Sequence, residues 1–179
     1  MNFKILILGH GRHGKDTVAE ILQTKLGLKF QSSSMAALDA IFPALDAVMG
    51  YRSPGISLNK AKQFAFRDRH SKRRLWKALI TLYNSPDKTA LCRKILEESD
   101  IYVGMRCNEE YEACKHLFHK IFYVDASKRV SKKDPTMKIP YVASEMVKLN
   151  NNGDEASLEL EVQSKVVDYF KWLESGDYC

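Results

Sequence analysis

The sequence contains no apolar run that approaches the roughly 18 residues needed to span a membrane. The apolar run at residues 5–8 is too short for the hydrophobic region of a secretion signal, and a glycine follows it directly. We therefore expect a soluble, non-secreted protein of the cytoplasm without a membrane partner.

Cysteine and histidine are scarce and do not occur in metal-binding patterns. The cysteines are Cys92, Cys107, Cys114 and Cys179, and the spacing of Cys107 and Cys114 matches neither a zinc site nor a redox CxxC motif. The five histidines form no HExxH-like pair. The sequence thus predicts neither a disulfide scaffold nor a structural metal ion.

Repeats and low-complexity segments are absent as well. The 179 residues are 45% hydrophobic and 28% charged, which excludes a disordered chain or a coiled coil and predicts one domain, residues 1–179. The 28 Lys and Arg residues exceed the 22 Asp and Glu residues, giving a net charge of +6. This excess favours anionic partners, whether nucleic acid, nucleotides or acidic lipid.

Short apolar segments alternate along the chain with longer segments of helical periodicity. The predicted strands are residues 2–8, 29–31, 101–105, 121–124 and 147–149. The predicted helices are residues 15–26, 35–49, 108–118 and 155–172, with a mostly helical region at 58–98. Residues 130–140 are polar, basic and proline-containing, which predicts a surface loop, and they fall in a lid-like loop at 126–140. This alternation predicts an α/β fold of three layers, in which helices cover both faces of a mostly parallel sheet.

A glycine-rich turn follows the first predicted strand and matches G-x-x-x-x-G-K, the phosphate-binding loop. Glycines let the backbone curl around a phosphate chain, the helix N-terminus adds partial positive charge, and the lysine reaches the β- and γ-phosphates. The residues predicted to bind ATP are Gly9, Gly11, Arg12, His13, Gly14, Lys15, Asp16 and Thr17.

The same glycines also spell G-x-G-x-x-G, the dinucleotide-binding pattern. That pattern requires an acidic residue near the end of the second strand, where this chain has Phe30 and Gln31. Lys15 directly after the last glycine favours the phosphate loop, and an oxidoreductase is kept as an alternative. Asp16 stands where the motif usually has Ser or Thr, so the predicted magnesium ligand is Thr17 or Asp16 itself.

Clustered cations supply candidate contacts to a second substrate. Residues 67–74 carry five positive charges against one negative charge, and arginine suits bidentate capture of phosphate. The candidate ligands there are Arg67, Arg73 and Arg74. Arg106 follows a predicted strand, at the edge where ligands bind in open α/β sheets. Arg129 and Lys132 lie in the 126–140 loop, which we expect to close over the nucleotide as a lid.

With these motifs the chain resembles the P-loop nucleoside monophosphate kinases, particularly the deoxynucleoside monophosphate kinases of bacteriophages. The resemblance rests on Lys-Asp-Thr at 15–17, Ser-Ser-Ser-Met at 32–35, Gly-Met-Arg at 104–106, Tyr-Val-Asp at 123–125 with Arg129, and Asn-Asn-Gly at 151–153. It implies ATP- and magnesium-dependent phosphorylation of a (deoxy)nucleoside monophosphate, in the host cytoplasm if the chain is viral.

The resemblance also implies an architecture and roles for residues. The fold would be P-loop NTPase-like, with a helical substrate-binding insert at 58–98 and a short lid. Catalysis would fall to Lys15, Arg106 and Arg129, and acceptor binding to Ser33, Ser34, Arg67, Arg73, Arg74 and Arg106. One departure stands out, since no aspartate ends the strand at 101–105 to support a magnesium ion.

The residue set agrees with this chemistry, because a phosphate acceptor is already ionised and needs no general base. Two further alternatives stay open. One is a kinase for a hydroxyl acceptor, dephospho-CoA-like, with Asp68 as its candidate base; the other is a non-catalytic nucleotide-binding regulatory module. Clustered cations beside a phosphate loop favour small nucleotides over nucleic acid as partners. The sequence leaves the acceptor base, its sugar and the choice between monomer and homodimer open.

Overall fold

The computed structural model describes residues 3–131 and 134–175, with only the backbone of Ser32 and Glu174. Its centre is a sheet of five parallel strands in the order β2-β3-β1-β4-β5. The strands are β1 (Ile5–Leu8), β2 (Phe30–Ser32), β3 (Ile101–Val103), β4 (Lys120–Asp125) and β5 (Val147–Asn150). All five predicted strands are therefore present.

Helices connect the strands, as parallel pairing requires. The α-helices are α1 (Lys15–Leu26), α2 (Ser33–Met49), α3 (Leu58–Asp68), α4 (Arg73–Tyr83), α5 (Ala90–Glu98), α6 (Asn108–Cys114), α7 (Glu155–Val162) and α8 (Asp168–Ser175). A 3₁₀ turn at Lys115–Leu117 follows α6, and a π-helical turn at Gln163–Val167 joins α7 to α8. None of the helices in the described part of the chain is both long and apolar enough to cross a bilayer.

The two faces of the sheet are covered by different helices, because successive side chains of a strand point to opposite faces. Ile5 and Ile7 of β1 pack in one core with residues of α1, α7 and the π-helical turn. Leu6 and Leu8 pack in a second core with residues of α2, α5 and α6. Both cores combine aliphatic and aromatic side chains, and the predicted three-layer α/β/α arrangement is confirmed.

The helical region at 58–98 has a small core of its own. Leu38 and Leu45 of α2 pack there against Ala61 and Ala65 of α3 and Trp76 of α4. The region consists of three helices, because the chain leaves the helical conformation between Asp68 and Arg73 and again between Tyr83 and Ala90. This insert is attached to the sheet through α2 and α5.

Several predicted boundaries shift for local reasons. The strand predicted at 101–105 ends at Val103, since Gly104 has a φ of +96° that a strand does not tolerate. The first strand begins at Ile5, and its predicted first residue, Asn2, lies outside the described residues. The segment at 130–140 was expected to lie on the surface, yet Met137 and Ile139 are buried in the sheet core.

Candidate functional site

The carboxyl ends of all five strands meet at one edge of the sheet, because the strands are parallel. The residues that directly follow the strands are Gly9, Ser33, Gly104, Ala126 and Asn151. The predicted phosphate loop, residues 9–14, therefore lies at the centre of this edge, between the ends of β3 and β4. This is the edge at which open α/β sheets bind ligands.

Close packing explains the first and last glycines of the loop. Gly9 has a φ of +139°, and a Cβ there would lie 2.5 Å from the carbonyl oxygen of Val124. Gly14 has a φ of +86°, and its Cβ would lie 2.3 Å from Asn151 Nδ2. The buried Asn151 side chain donates from Nδ2 to the carbonyl oxygen of His13 (2.9 Å), so β5 braces the loop. Among the residues that the structure describes, Arg12 is the non-glycine residue that has a left-handed φ, +65°.

The His13 side chain points into the protein. Its Nδ1 accepts a hydrogen bond from the backbone N–H of Ala126 (3.1 Å) and lies 3.3 Å from the carbonyl oxygen of Val124. Burial lowers the pKa of His13, with the nearby His10 and Lys15 acting in the same direction. The neutral imidazole therefore fastens the loop to the end of β4.

Lys15 is buried and folded back over the loop. Its Nζ donates to the carbonyl oxygen of His10 (2.7 Å). Burial and the nearby charge of Arg106 lower its pKa to about 8, against the opposing effect of Asp16 and Asp134. Within the described part of the chain no side chain caps the N-terminus of α1, which leaves its first backbone N–H groups for an external anion.

Arg106 reaches the loop with a partner that the sequence did not predict. Its Nη1 donates to the Asp134 carboxylate and to the Thr136 hydroxyl. Oδ2 of Asp134 lies 2.9 Å from the position of a Cβ on Gly11, so this carboxylate rests on the phosphate loop. Burial favours the neutral form of Asp134, but hydrogen bonds from Thr136 and the charge of Arg106 outweigh it and hold the pKa well below its usual range.

The structure places the other predicted residues at different distances from this centre. Ser33 lies at the same edge as Arg106, with its Oγ 2.8 Å from where Gly104 would carry a Cβ. Ser34 is half-buried in the first turn of α2. Nε of Arg129 donates to the carbonyl oxygen of Asn151 (2.7 Å), which links it to the brace of the loop. Lys132, the second predicted cation of the lid, lies outside the described residues.

The three arginines of the helical insert are not joined to the loop. Arg67, Arg73 and Arg74 are exposed on α3 and α4, and within residues 3–131 and 134–175 no hydrogen bond or ion pair connects them to residues 9–17. Asp68 accepts hydrogen bonds from Tyr51 Oη (3.1 Å) and Ser71 Oγ. Burial and this carboxylate raise the pKa of Tyr51 to about 12. Asp68 therefore links the C-terminal end of α3 to the loop before that helix through its hydrogen bond with Tyr51.

Magnesium fits the first turn of α1 only together with a nucleotide. Asp16 is exposed and Thr17 half-buried there. The described residues contain no group of three or more His, Cys, Asp or Glu side chains that could hold a metal ion. Mg²⁺ commonly takes one or two protein ligands and completes its shell with substrate phosphates and water. Asp16 and Thr17 can supply such a partial set.

Sequence reasoning gave no role to Asn151 or Asp134. Asn151 was noted only as part of the Asn-Asn-Gly motif, and Asp134 was in no motif. An aspartate two residues before a threonine, as in Asp134-Pro135-Thr136, is a turn pattern. It indicates local hydrogen bonding and gives no sign that the carboxylate meets Gly11.

Comparisons with known proteins agree on the architecture. No protein-family model and no curated protein matches the sequence. Among solved structures, the chain is similar to a gluconokinase from Sinorhizobium meliloti 1021, with a TM-score of 0.51 and 12% identity over 99% of this chain and 98% of that one. It is also similar to TT1252 from Thermus thermophilus, with a TM-score of 0.54 and 14% identity over 93% and 97% of the two chains. These likenesses show an α/β fold of the P-loop kinase type.

Proposed function

We propose that the chain is an ATP-dependent phosphotransferase whose acceptor is a (deoxy)nucleoside monophosphate. The proposal rests on the N-terminus of α1, which no described side chain caps. The charges of Lys15 and Arg106 lie close together there, at the phosphate loop. Backbone N–H groups and two cations at one point suit a chain of phosphates and the charge that develops during phosphoryl transfer.

The residues of the loop would hold the phosphates of ATP, with Asp16 and Thr17 as ligands of its magnesium ion. Bound Mg-ATP supplies the γ-phosphoryl group and neutralises part of its charge. The protein contributes the loop, which His13 fastens to the end of β4 and which Asn151 braces from the end of β5. It also contributes Lys15, Arg106 and Arg129 as positive charges.

The low pKa of Asp134 supports a phosphate acceptor. A carboxylate whose pKa lies well below its usual range binds a proton weakly and is a poor general base. The oxygen of a nucleoside monophosphate is already ionised, so its transfer needs positioning and charge rather than a base. Ser33 and Ser34 lie at the edge where such an acceptor would meet Arg106. We also propose that Arg67, Arg73 and Arg74 contact it.

A kinase with a hydroxyl acceptor is the second candidate. It would require a carboxylate base, and Asp134 lies directly on the phosphate loop, but the ion pair with Arg106 works against that role. One protein of similar fold is described as a gluconokinase, although likeness at 12% identity concerns the fold alone.

A panel of acceptors separates these candidates. The protein is incubated with Mg-ATP and each of the (deoxy)nucleoside monophosphates, nucleosides, gluconate and dephospho-CoA, and both ADP and the phosphorylated acceptor are measured. We expect diphosphate formation with at least one monophosphate and none with Lys15→Met. Transfer to an alcohol alone would overturn the assignment of the acceptor.

Failure of all transfer would overturn the proposed activity. Binding of an ATP analogue without transfer would then indicate a nucleotide-binding regulatory module. Binding of NAD(P), measured by fluorescence titration, would instead support the dinucleotide-binding alternative that the glycine pattern raised.

A further inference from the structure

Arg106 and Lys15 place two positive charges at one small site. Lys15 is buried against the loop, with its Nζ on the carbonyl oxygen of His10 (2.7 Å). Two cations at one site repel each other, and a nearby acid offsets that repulsion. Asp134 is such an acid, because it pairs with Arg106 and lies against Gly11 of the same loop.

Asp134 is itself held firmly in place. Its Oδ1 accepts from the backbone N–H of Thr136 (2.9 Å) and from the Thr136 hydroxyl (2.6 Å). The oxygen of that hydroxyl accepts in turn from Arg106. The side chain of Asp134 is only 13% exposed, whereas that of Arg106 is 38% exposed.

The segment that follows Asp134 is anchored in the protein. Met137 and Ile139 are buried in the sheet core, and the backbone N–H of Lys138 donates to the carbonyl oxygen of Arg106 (2.9 Å). Gly11 lets the carboxylate approach the loop, because a Cβ would stand 2.9 Å from Oδ2. The carboxylate is thus the fixed member of the pair, and the long arginine side chain is the member that needs fixing.

We propose that Asp134 is a positioning residue, which holds the Arg106 guanidinium at the phosphate loop through the paired carboxylate and the Thr136 hydroxyl. The proposal rests on the proposed phosphoryl transfer. Asp134 acts through Arg106, and it neither accepts a proton from the acceptor nor binds the nucleotide.

A double-mutant cycle tests this dependence. We expect Asp134→Asn to lower kcat about tenfold or more and to change KM for ATP less than about threefold, because the lost interaction serves the transition state. In an Arg106→Ala background, we expect the same substitution to have no further effect on kcat. Asp39→Asn is the control, since Asp39 is an exposed acid that pairs with Lys62 on α3; it should leave both constants unchanged.

A spectroscopic measurement keeps the test independent of activity. The guanidinium Nη–H resonance of Arg106, whose Nη1 contacts Asp134 and Thr136, is assigned in the ligand-free protein by its loss in Arg106→Lys. We expect Asp134→Asn to move this resonance towards that of a free arginine and to leave the backbone amides outside the site unchanged, whereas Asp39→Asn moves neither. If the wild type transfers no phosphate while the resonance behaves as expected, the proposed activity fails and the positioning role stands.

Three results would overturn the proposal. An equal loss of kcat in both backgrounds would mean that Asp134 acts directly on the substrate. Tighter binding of ATP by Asp134→Asn with kcat retained would mean that the carboxylate competes with phosphate. An unmoved Arg106 resonance would mean that the ion pair does not hold the side chain in solution.

Discussion

Replacing Gly14 by alanine tests how the sheet braces the phosphate loop. Gly14 has a φ of +86°, and its added Cβ would lie 2.3 Å from Asn151 Nδ2. The alanine therefore imposes two separate penalties. One is the unfavourable backbone conformation, and the other is displacement of an amide that donates to the carbonyl oxygen of His13.

Each penalty has an expected size. A left-handed φ costs a non-glycine residue about 1 kcal/mol or slightly more. Loss of a hydrogen bond that leaves a buried polar group unpaired adds about 2 kcal/mol. The sum of about 3 kcal/mol lowers the melting temperature of a chain of this size by about 6–12 °C.

Gly27 provides the matched control. It has a φ of +66° at the end of α1, and no atom lies within 4 Å of the position of its Cβ. Gly27→Ala therefore carries the backbone penalty alone, about 1 kcal/mol or about 2–4 °C. Calorimetry or thermal circular dichroism measures both variants. In an Asn151→Ala background, we expect the cost of Gly14→Ala to fall to that of Gly27→Ala.

Equal melting temperatures for Gly14→Ala and Gly27→Ala in the wild-type background would refute this reasoning. They would show that Asn151 does not press on the loop. The same variants also report on function, since displacement of Asn151 frees the carbonyl oxygen of His13 and loosens the loop. We expect Gly14→Ala, and not Gly27→Ala, to weaken binding of an ATP analogue.

Three further predictions concern a charge, a buried acid and the helical insert. Because Lys15 has a pKa of about 8 and only its charged form attracts phosphate, the apparent affinity for an ATP analogue should fall about tenfold between pH 7 and pH 9 in titration calorimetry. A flat profile would remove Lys15 from phosphate binding. Burial raises the pKa of Glu110 above 4.5, so the folded state retains a proton that the unfolded state releases, and stability falls as pH rises from 4.5 through that raised pKa. Glu110→Gln should remove this fall and raise the melting temperature at neutral pH, and an unchanged pH profile would contradict it. Leu45→Ala should cost about 2–5 kcal/mol in urea unfolding, because Leu45 is fully buried between α2 and the insert, while exposed Val48→Ala should be near neutral; equal costs would contradict the packing of the insert.

Local patterns were sufficient for most of the architecture. A run of aliphatic residues such as Ile5–Leu8 is buried on both faces only in a covered parallel strand, and the helical spacing after it requires a crossover. The phosphate loop could be located because its glycines and its lysine lie close together in the sequence. Arg106 was placed correctly at the sheet edge, because the carboxyl ends of parallel strands must coincide.

The segment at 130–140 shows where local patterns fail. Its polar and basic composition predicted a surface position, yet Met137 and Ile139 join the core and fix Asp134 on Gly11. Composition averages over a segment and does not reveal that two apolar side chains anchor it. The prediction that Arg67, Arg73 and Arg74 contact a substrate also depends on distances that no sequence pattern contains.

The sequence by itself therefore determined the parallel α/β sheet and the place of the phosphate loop, because both follow from periodicity and from residues adjacent in the chain. Only the tertiary structure decided which side chains complete the site. Asn151 braces a loop residue 138 positions away, and Asp134 meets both Gly11 and Arg106. Such contacts arise from the packing of separate strands and loops, and local propensity carries no record of them.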